Sequence, residues 1–347
     1  MTDPPGLSLE KLTQYLDTVR PGLRTGRLTA DLIPGGRSNL TYRLTDGTTQ
    51  WVLRRPPLDH VLATAHDMSR EYRVINALAP TAVPVPATEL LCTDTAVIGV
   101  PFYLMDRVAG SAMRSQADTS VLSADQATRV AHLLVDVLAD LHDVVPETVG
   151  LGDLGQPTGF MARQVARWRK QLNASRSRDL PGIDHLHDRL AASVPHSSRT
   201  SIVHGDYKLD NVLVTTDPLG ISAVLDWEMA TLGDPLADLG LLVAYWQGVG
   251  REDDPITGGV TRTPGFPPIS TLIARYAQRT GADLSHLGWY VAFAYFKVAV
   301  ILEGIHYRFA RGGTVGTGFD QIGGLVLPLV ERGIAAVNAL PAADQEQ

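Results

Sequence analysis

The chain carries a single cysteine, Cys92, among 347 residues. That excludes an intrachain disulfide and a cysteine-built zinc site, and it suits a reducing compartment. Cys92 itself reads as a small buried apolar residue. Basic charge is also in short supply: 30 Lys and Arg stand against 37 Asp and Glu, a formal net charge of −7. A general nucleic-acid binder needs a basic surface to displace counterions, so that class is disfavoured. The most apolar stretch, residues 289–305, is interrupted by Lys297 and Glu303, and falls short of the ~20 mostly apolar residues of a spanning helix. The first residues, MTDPPGLSLEKL, hold no basic segment followed by an apolar one, so no secretory signal is read there. The expectation is a cytoplasmic protein with no membrane and no nucleic-acid partner. Internal repeats are lacking too, and only the end, PAADQEQ, reads as disordered.

What is present is ordinary for a folded chain, with 44% hydrophobic and 19% charged residues. At roughly 150 residues per domain the length predicts two lobes with a cleft. Residues 8–20 read as a helix. Residues 28–44 read as strand, turn and strand, with PGGRSN at 34–39 as the turn. A strand at 49–55 ends at Pro56 and Pro57, which cannot continue a ladder. A helix at 66–78 places Met68, Tyr72, Ile75 and Leu78 near one face, and strands follow at 87–93 and 99–105. From Ser123, a suitable N-cap, Val130, Leu133, Leu134, Val137, Leu138 and Leu141 recur at helical spacing. Further helices are expected at 158–173, 183–193, 236–247, 269–280 and 286–310. The β feature of this second part is the pair IVHGD (202–206) and NVLVT (211–215), followed by ISAVLDW (221–227).

The chemistry concentrates in HGDYKLDN, residues 204–211, and LDWE, residues 225–228. Transfer of a γ-phosphoryl group needs a carboxylate that orients and accepts a hydroxyl proton, and oxygen ligands that hold Mg²⁺ against phosphates. Asp206, Asn211 and Asp226 have these chemistries. Asn211 follows Asp206 by five residues, the spacing of a kinase catalytic loop, and Asp226 follows a hairpin. The bland reading is a hairpin with incidental turn residues, since Gly, Asp and Asn favour turns anyway.

Together with GDPLADLG at 233–240, these runs resemble the signature of aminoglycoside phosphotransferases and related choline, homoserine and hydroxyacyl kinases, and most closely the kinase-like segments linked to acyl-CoA dehydrogenases. The resemblance implies an α+β, two-lobed protein-kinase-like fold, with a sheet-rich N-lobe over 1–105 and a mainly helical C-lobe over 106–347. It implies ATP and Mg²⁺ as cofactors, Asp206 as catalytic base, and Asn211 and Asp226 as metal ligands. His204 would support the loop and Asp238 would brace it, with Asp234 as a cap. Gly35, Gly36, Ser38 and Asn39 would bring backbone N–H groups to the phosphates, although a plain hairpin turn fits them as well.

Where related kinases carry a lysine on the third strand, this chain has Arg54, with Glu71 as its helix partner. Guanidinium keeps the charge but has a planar, bidentate geometry; pairing with a surface carboxylate is the alternative. FYLMDRVAG at 102–110 would be the hinge, with Met105 as gatekeeper and the backbone of Asp106 and Val108 meeting the adenine edge. The basic run at 162–170, with Arg176 and Arg178, either holds an anionic substrate or is a solvated helix face. Residues 288–313 read as core, with Glu303, His306, Tyr307 and Arg308 as possible acceptor-pocket residues. Residues 250–268 are either a lid or a surface loop. Three functions fit: a kinase acting on a small hydroxylated acceptor of the hydroxyacyl-CoA type, an aminoglycoside 3'-type kinase, and a nucleotide-binding regulatory protein.

Overall fold

The computed structural model describes residues 3–33, 39–58, 67–197, 199–249, 257–311 and 319–339. They fall into two units, residues 1–110 with 222–230, and residues 111–221 with 231–347.

The first unit is an antiparallel sheet of five strands: β1 (Thr29–Leu32), β2 (Leu40–Thr45), β3 (Gln50–Arg55), β4 (Thr88–Cys92) and β5 (Phe102–Asp106), in the order β1-β2-β3-β5-β4. Side chains two apart share a face. Tyr42, Leu44, Trp51, Leu53, Phe102 and Leu104 therefore form one core with Leu12 and Leu16 of α1 (Leu9–Val19). The alternate residues point the other way, and register sets Arg54 opposite Tyr103 on that second face. Helix α2 (Met68–Leu78) buries Glu71, Val74, Ile75 and Leu78, an i, i+3, i+4, i+7 stripe with one carboxylate in it. Asp67 caps α2 by accepting from the Ser69 and Arg70 N–H groups.

Residues 222–230 join this unit through hydrogen bonds. Val224 N donates to Pro84 O at 2.7 Å, and Arg70 Nη2 donates to Ala230 O at 2.8 Å.

The second unit is mainly helical. It contains β6 (Ser111–Ala112), α3 (Ala124–Asp143), α4 (Phe160–Ser175), α5 (Ile183–Ala192), β7 (Ser201–Val203), β8 (Val212–Thr216), the start of β9 (Leu219–Val224), β10 (Thr231–Gly233), α6 (Leu236–Gln247), α7 (Ile269–Thr280), α8 (Leu287–Ala310) and α9 (Val326–Asn338). Ser123 caps α3 in a reciprocal box with Gln126. Gly240 lets α6 approach α8, because a Cβ there would fall 2.7 Å from the Tyr290 carbonyl.

Two expectations are corrected and one helix is added. The strand within IVHGD does not pair with NVLVT: β7 pairs antiparallel with β10, and β8 with β6. The chain must leave β7 to form the 204–211 loop, so the two runs flank a site and do not make a ladder. Helix α9 was not anticipated; Val326, Leu329, Val330, Gly333 and Val337 form its buried stripe. The apolar stretch around residues 289–305 does belong to a helix, α8, long and apolar enough to cross a membrane by length and composition, but 78% of its most apolar window is buried inside the unit. Such a helix is hydrophobic all round because it is core.

Candidate functional site

The 204–211 loop leaves β7 and turns at Gly205, whose φ of 84° is a conformation that side chains resist. Asp238, in the first turn of α6, holds this turn. Its Oδ2 accepts from His204 N at 2.6 Å and its Oδ1 from Gly205 N at 2.8 Å. His142 Nε2 lies 3.4 Å from the same Oδ2, and His142 Nδ1 meets the Tyr276 hydroxyl at 2.7 Å. Asp206 N in turn donates to His204 Nδ1 at 3.1 Å. Asp234 accepts from Leu236 N at 2.9 Å at the head of α6 and from the Tyr290 hydroxyl at 2.6 Å.

These bonds fix the backbone leading into Asp206, and further donors hold its side chain. Asn211 Nδ2 donates to Asp206 Oδ2 at 3.0 Å and to its backbone oxygen at 2.9 Å. Lys208 Nζ is 3.0 Å from Oδ2, and the Tyr245 hydroxyl donates to Oδ1 at 3.0 Å. Burial opposes the charged form of Asp206, but Lys208 first and Lys297 next outweigh it and hold the carboxyl below its ordinary value. A carboxylate kept ionised and aimed by three donors is chemically able to receive a proton. Lys297, on the core helix α8, donates to Gly205 O at 2.5 Å.

Sequence reading gave no role to Lys208, Tyr245, Lys297 or His142. Lys208 lies inside the motif and could have been questioned there. The other three reach the loop from distant helices, and no local spacing marks them.

In the first unit, Arg54 Nη1 lies 3.2 Å from Glu71 Oε1, and Nη2 lies 3.0 Å from Asp226 Oδ1. Arg54 thus bridges two carboxylates and is not paired to a surface one. Burial raises the Glu71 pKa against the pull of Arg54, and Tyr103 presents its hydroxyl beside that carboxylate. Asp226 has φ 67°, the single positive-φ residue other than glycine among the described residues. Strain of this kind persists where surroundings over-determine it, here with Arg54 holding the side chain and Trp227 Nε1 bonding Val224 O at 3.0 Å.

Asn39 is buried and donates to Glu228 Oε2 at 3.2 Å. Gly35, Gly36 and Ser38 lie outside the described residues. Met105 is buried on β5 opposite Val52, Asp106 N donates to Ala87 O at 2.8 Å, and Val108 is half-buried just beyond the strand.

Much of the basic run is engaged elsewhere. Arg169 and Arg176 converge on Asp184 at 2.5 and 2.9 Å, Arg163 donates to the Thr158 and Gln156 carbonyls, and Arg178 pairs at 2.9 Å with buried Glu303. Glu303 is therefore an internal counter-charge. Neither it nor His306, Tyr307 or Arg308 lines the cavity beside Asp206.

That cavity is walled by Leu209, Leu242, Trp246 and Val260 together with Lys208, Asp210 and Tyr245. Thr257 and Thr261 also line it, so the described part of the 250–268 segment forms cavity wall. Residues 250–256 lie outside the described residues.

Among the described residues no three His, Cys, Asp or Glu side chains cluster as a cage for a metal ion. Asn211 spends its nitrogen on Asp206 and Asp226 spends Oδ1 on Arg54, which leaves Asn211 Oδ1 and Asp226 Oδ2 as hard oxygen donors. Each is a hard oxygen of the kind that an ion of the Mg²⁺ class takes as a ligand.

The model of the phosphotransferase enzyme family matches residues 29–268. The chain belongs to that family. Among solved structures, a candidate aminoglycoside phosphotransferase from Ralstonia eutropha is 33% identical to this phosphotransferase, with a TM-score of 0.83 over 96% of this chain and 99% of that one. The aminoglycoside phosphotransferase APH(4)-Ia, solved with AMP-PNP and hygromycin B, is 15% identical with a TM-score of 0.62 over 94% of this chain and 98% of that one, which shows the common fold. The phosphotransferase therefore has the α+β protein-kinase-like fold. Acyl-CoA dehydrogenase family member 11 of Rattus norvegicus is 33% identical over 94% of this chain and 43% of its own length. The chain thus spans less than half the length of the curated relatives it matches.

Proposed function

We propose that this phosphotransferase moves the γ-phosphoryl group of ATP to a hydroxyl of a small molecule, with a hydroxyacyl thioester of coenzyme A as the favoured acceptor class. The observation that carries this is Asp206, an ionised carboxylate held by Asn211, Lys208 and Tyr245, the last two of which also line a mostly apolar cavity. In the reaction Asp206 receives the acceptor's hydroxyl proton as the acceptor oxygen bonds to the γ-phosphorus, and the bond to the ADP oxygen breaks. Asn211 and Asp226 are the residues that would hold Mg²⁺, which would supply charge neutralisation on the phosphates. Arg54, kept in place by Glu71, supplies a fixed positive charge where related kinases use lysine, and the 102–110 segment holds the adenine.

The cavity's charge favours this acceptor over an aminoglycoside. A polycation calls for several carboxylates, and Asp210 is the one carboxylate among the described lining residues, facing a site that also holds Lys208. Apolar walls suit an acyl chain.

The test supplies purified protein with Mg²⁺ and ATP, and either 3-hydroxybutyryl-coenzyme A or kanamycin, and weighs the products. A phosphorylated thioester, absent with Asp206→Ala, is expected. Phosphorylated kanamycin alone would replace the acceptor assignment, and ATP hydrolysis identical in wild type and Asp206→Ala would favour a nucleotide-binding regulator.

A further inference from the structure

Helix α4 spends its cations unevenly. Arg163 donates to backbone carbonyls and Arg169 pairs with Asp184. Arg167 is exposed and has no carboxylate or carbonyl partner among the described residues; its guanidinium lies 5.8 Å over the Trp168 ring instead. Trp168 is buried, and Lys297 of α8 stands 5.6 Å over the same ring. Lys297 in turn donates to Gly205 O at 2.5 Å, the carbonyl next before Asp206. Cations from two helices thus share one indole, and one of them is bonded to the catalytic loop.

This cluster has more donors than acceptors. Guanidinium and ammonium groups donate only, and Gly205 O is the one hydrogen-bond acceptor that Arg167 and Lys297 meet among the described residues. The Trp168 Nε1–H is buried there without an acceptor as well. Charge is out of balance in the same sense. Burial opposes the charged form of Lys297, Asp206 and Asp238 favour it, and Lys208 and Arg167 add repulsion. Both of those carboxylates are already engaged, Asp206 by Asn211, Lys208 and Tyr245, and Asp238 by the His204–Gly205 turn. A guanidinium resting on a fixed ring is held in place before a ligand arrives, so less freedom is lost on binding. A surplus of positive donors is completed by an anion that accepts several hydrogen bonds, and phosphate matches the planar fork of arginine.

We propose that Arg167 is an acceptor-specificity residue: its guanidinium, set on the Trp168 ring beside Lys297, binds a phosphate of the coenzyme A moiety while the acceptor hydroxyl lies at Asp206. This rests on the phosphotransferase reading above and assigns the anionic end of that acceptor to one side chain. Arg169, Arg176 and Arg178 are spent on Asp184 and Glu303 and take no part.

The experiment compares Arg167→Gln with Lys170→Gln, an equal loss of charge from the same helix at a side chain that meets no partner among the described residues. The acceptors are 3-hydroxybutyryl-coenzyme A and 3-hydroxybutyryl-pantetheine, which keeps the thioester and the hydroxyl and carries no phosphate. Wild type should show the lower KM for the coenzyme A thioester. Arg167→Gln should raise that KM by about tenfold at unchanged kcat, the worth of one hydrogen bond to a charged group. Its KM for the pantetheine thioester and for ATP should stay at wild-type values, and Lys170→Gln should match wild type throughout. An equal rise for both thioesters, a higher KM for ATP, or the same effect in Lys170→Gln overturns the assignment.

A titration separates this site from the function it rests on. With ADP saturating, so that the nucleotide site is filled, calorimetry should show coenzyme A binding wild type and Lys170→Gln alike and Arg167→Gln about tenfold more weakly. If wild type phosphorylates neither thioester, the acceptor reading fails and this titration decides alone. A loss confined to Arg167→Gln then supports the phosphate site; equal binding by the three proteins, or none by wild type, overturns it.

Discussion

Glu71 is wholly buried on α2 and faces Arg54 of β3 across 3.2 Å, and the same guanidinium reaches Asp226 at 3.0 Å. A planar fork can serve two carboxylates at once, which a lysine's point charge does less well. The arginine in place of the usual lysine is thus matched to its surroundings by geometry.

Arg54→Ala leaves Glu71 buried without its counter-charge, a change that costs about 3–5 kcal/mol. Arg54→Lys keeps the charge and should lose a smaller part of that. Denaturant unfolding of the three proteins should rank wild type, Arg54→Lys, Arg54→Ala in falling stability. Adding Glu71→Gln to Arg54→Ala should recover part of the loss, because the uncompensated charge is then gone. If Arg54→Ala alone is as stable as wild type, the pair is not a buried counter-charge.

Asp238 predicts an acid limb. Burial opposes its ionisation, but the hydrogen bond and charge of His142, with help from His204 and Gly205, hold its pKa below the ordinary aspartate value. The unfolded chain, with aspartate near 3.9, then binds more protons than the folded one below that pH. The stability Asp238 contributes is complete above about pH 4 and is lost as pH falls through its lower folded value. Asp238→Asn should flatten that limb. It should also cost about 1–3 kcal/mol at neutral pH for a buried N–H left without its acceptor in the His204–Gly205 turn. Denaturant melts from pH 3 to pH 7 check both, and parallel acid limbs in the two proteins would exclude Asp238 as their source.

How much of this was open to a reader of the sequence differs by element. The strands and long helices were legible because their apolar residues keep period 2 or 3.6, as in Tyr42 and Leu44 or Val130, Leu134, Val137 and Leu141. The pairing of Arg54 with Glu71 was legible by resemblance, and its second partner Asp226 was not, because that contact depends on residues 222–230 joining the first unit. The pairing of β7 with β10 was hidden for the same reason: three-residue strands carry almost no periodic signal, and their partner is fixed by tertiary structure. Helix α9 was missed because its stripe includes Gly333, which lowers helix propensity. Tyr245 and Lys297 sit in apolar helices whose pattern says only that they are core.

Lys297 supplies the last prediction. Its ammonium is buried on α8, donates to Gly205 O at 2.5 Å, and lies 5.6 Å over the Trp168 ring. Burial pushes its pKa down, with Asp206 and Asp238 opposing. A lysine kept in so apolar a helix acts on what it touches: it ties down the carbonyl before Asp206 and adds positive potential that keeps Asp206 ionised. Lys297→Met preserves the length and removes both effects. Without that cation the Asp206 pKa rises, so the acid limb of kcat moves to higher pH, and kcat at neutral pH falls by about tenfold, or ~1.4 kcal/mol in the barrier. Lys297→Met also leaves the Gly205 carbonyl without this donor and Asp206 with one cation fewer, so the thermal midpoint should fall modestly. Loss of kcat with an unmoved acid limb would reduce Lys297 to a packing residue; a limb shifted to higher pH marks it as the group that poises Asp206 for proton transfer.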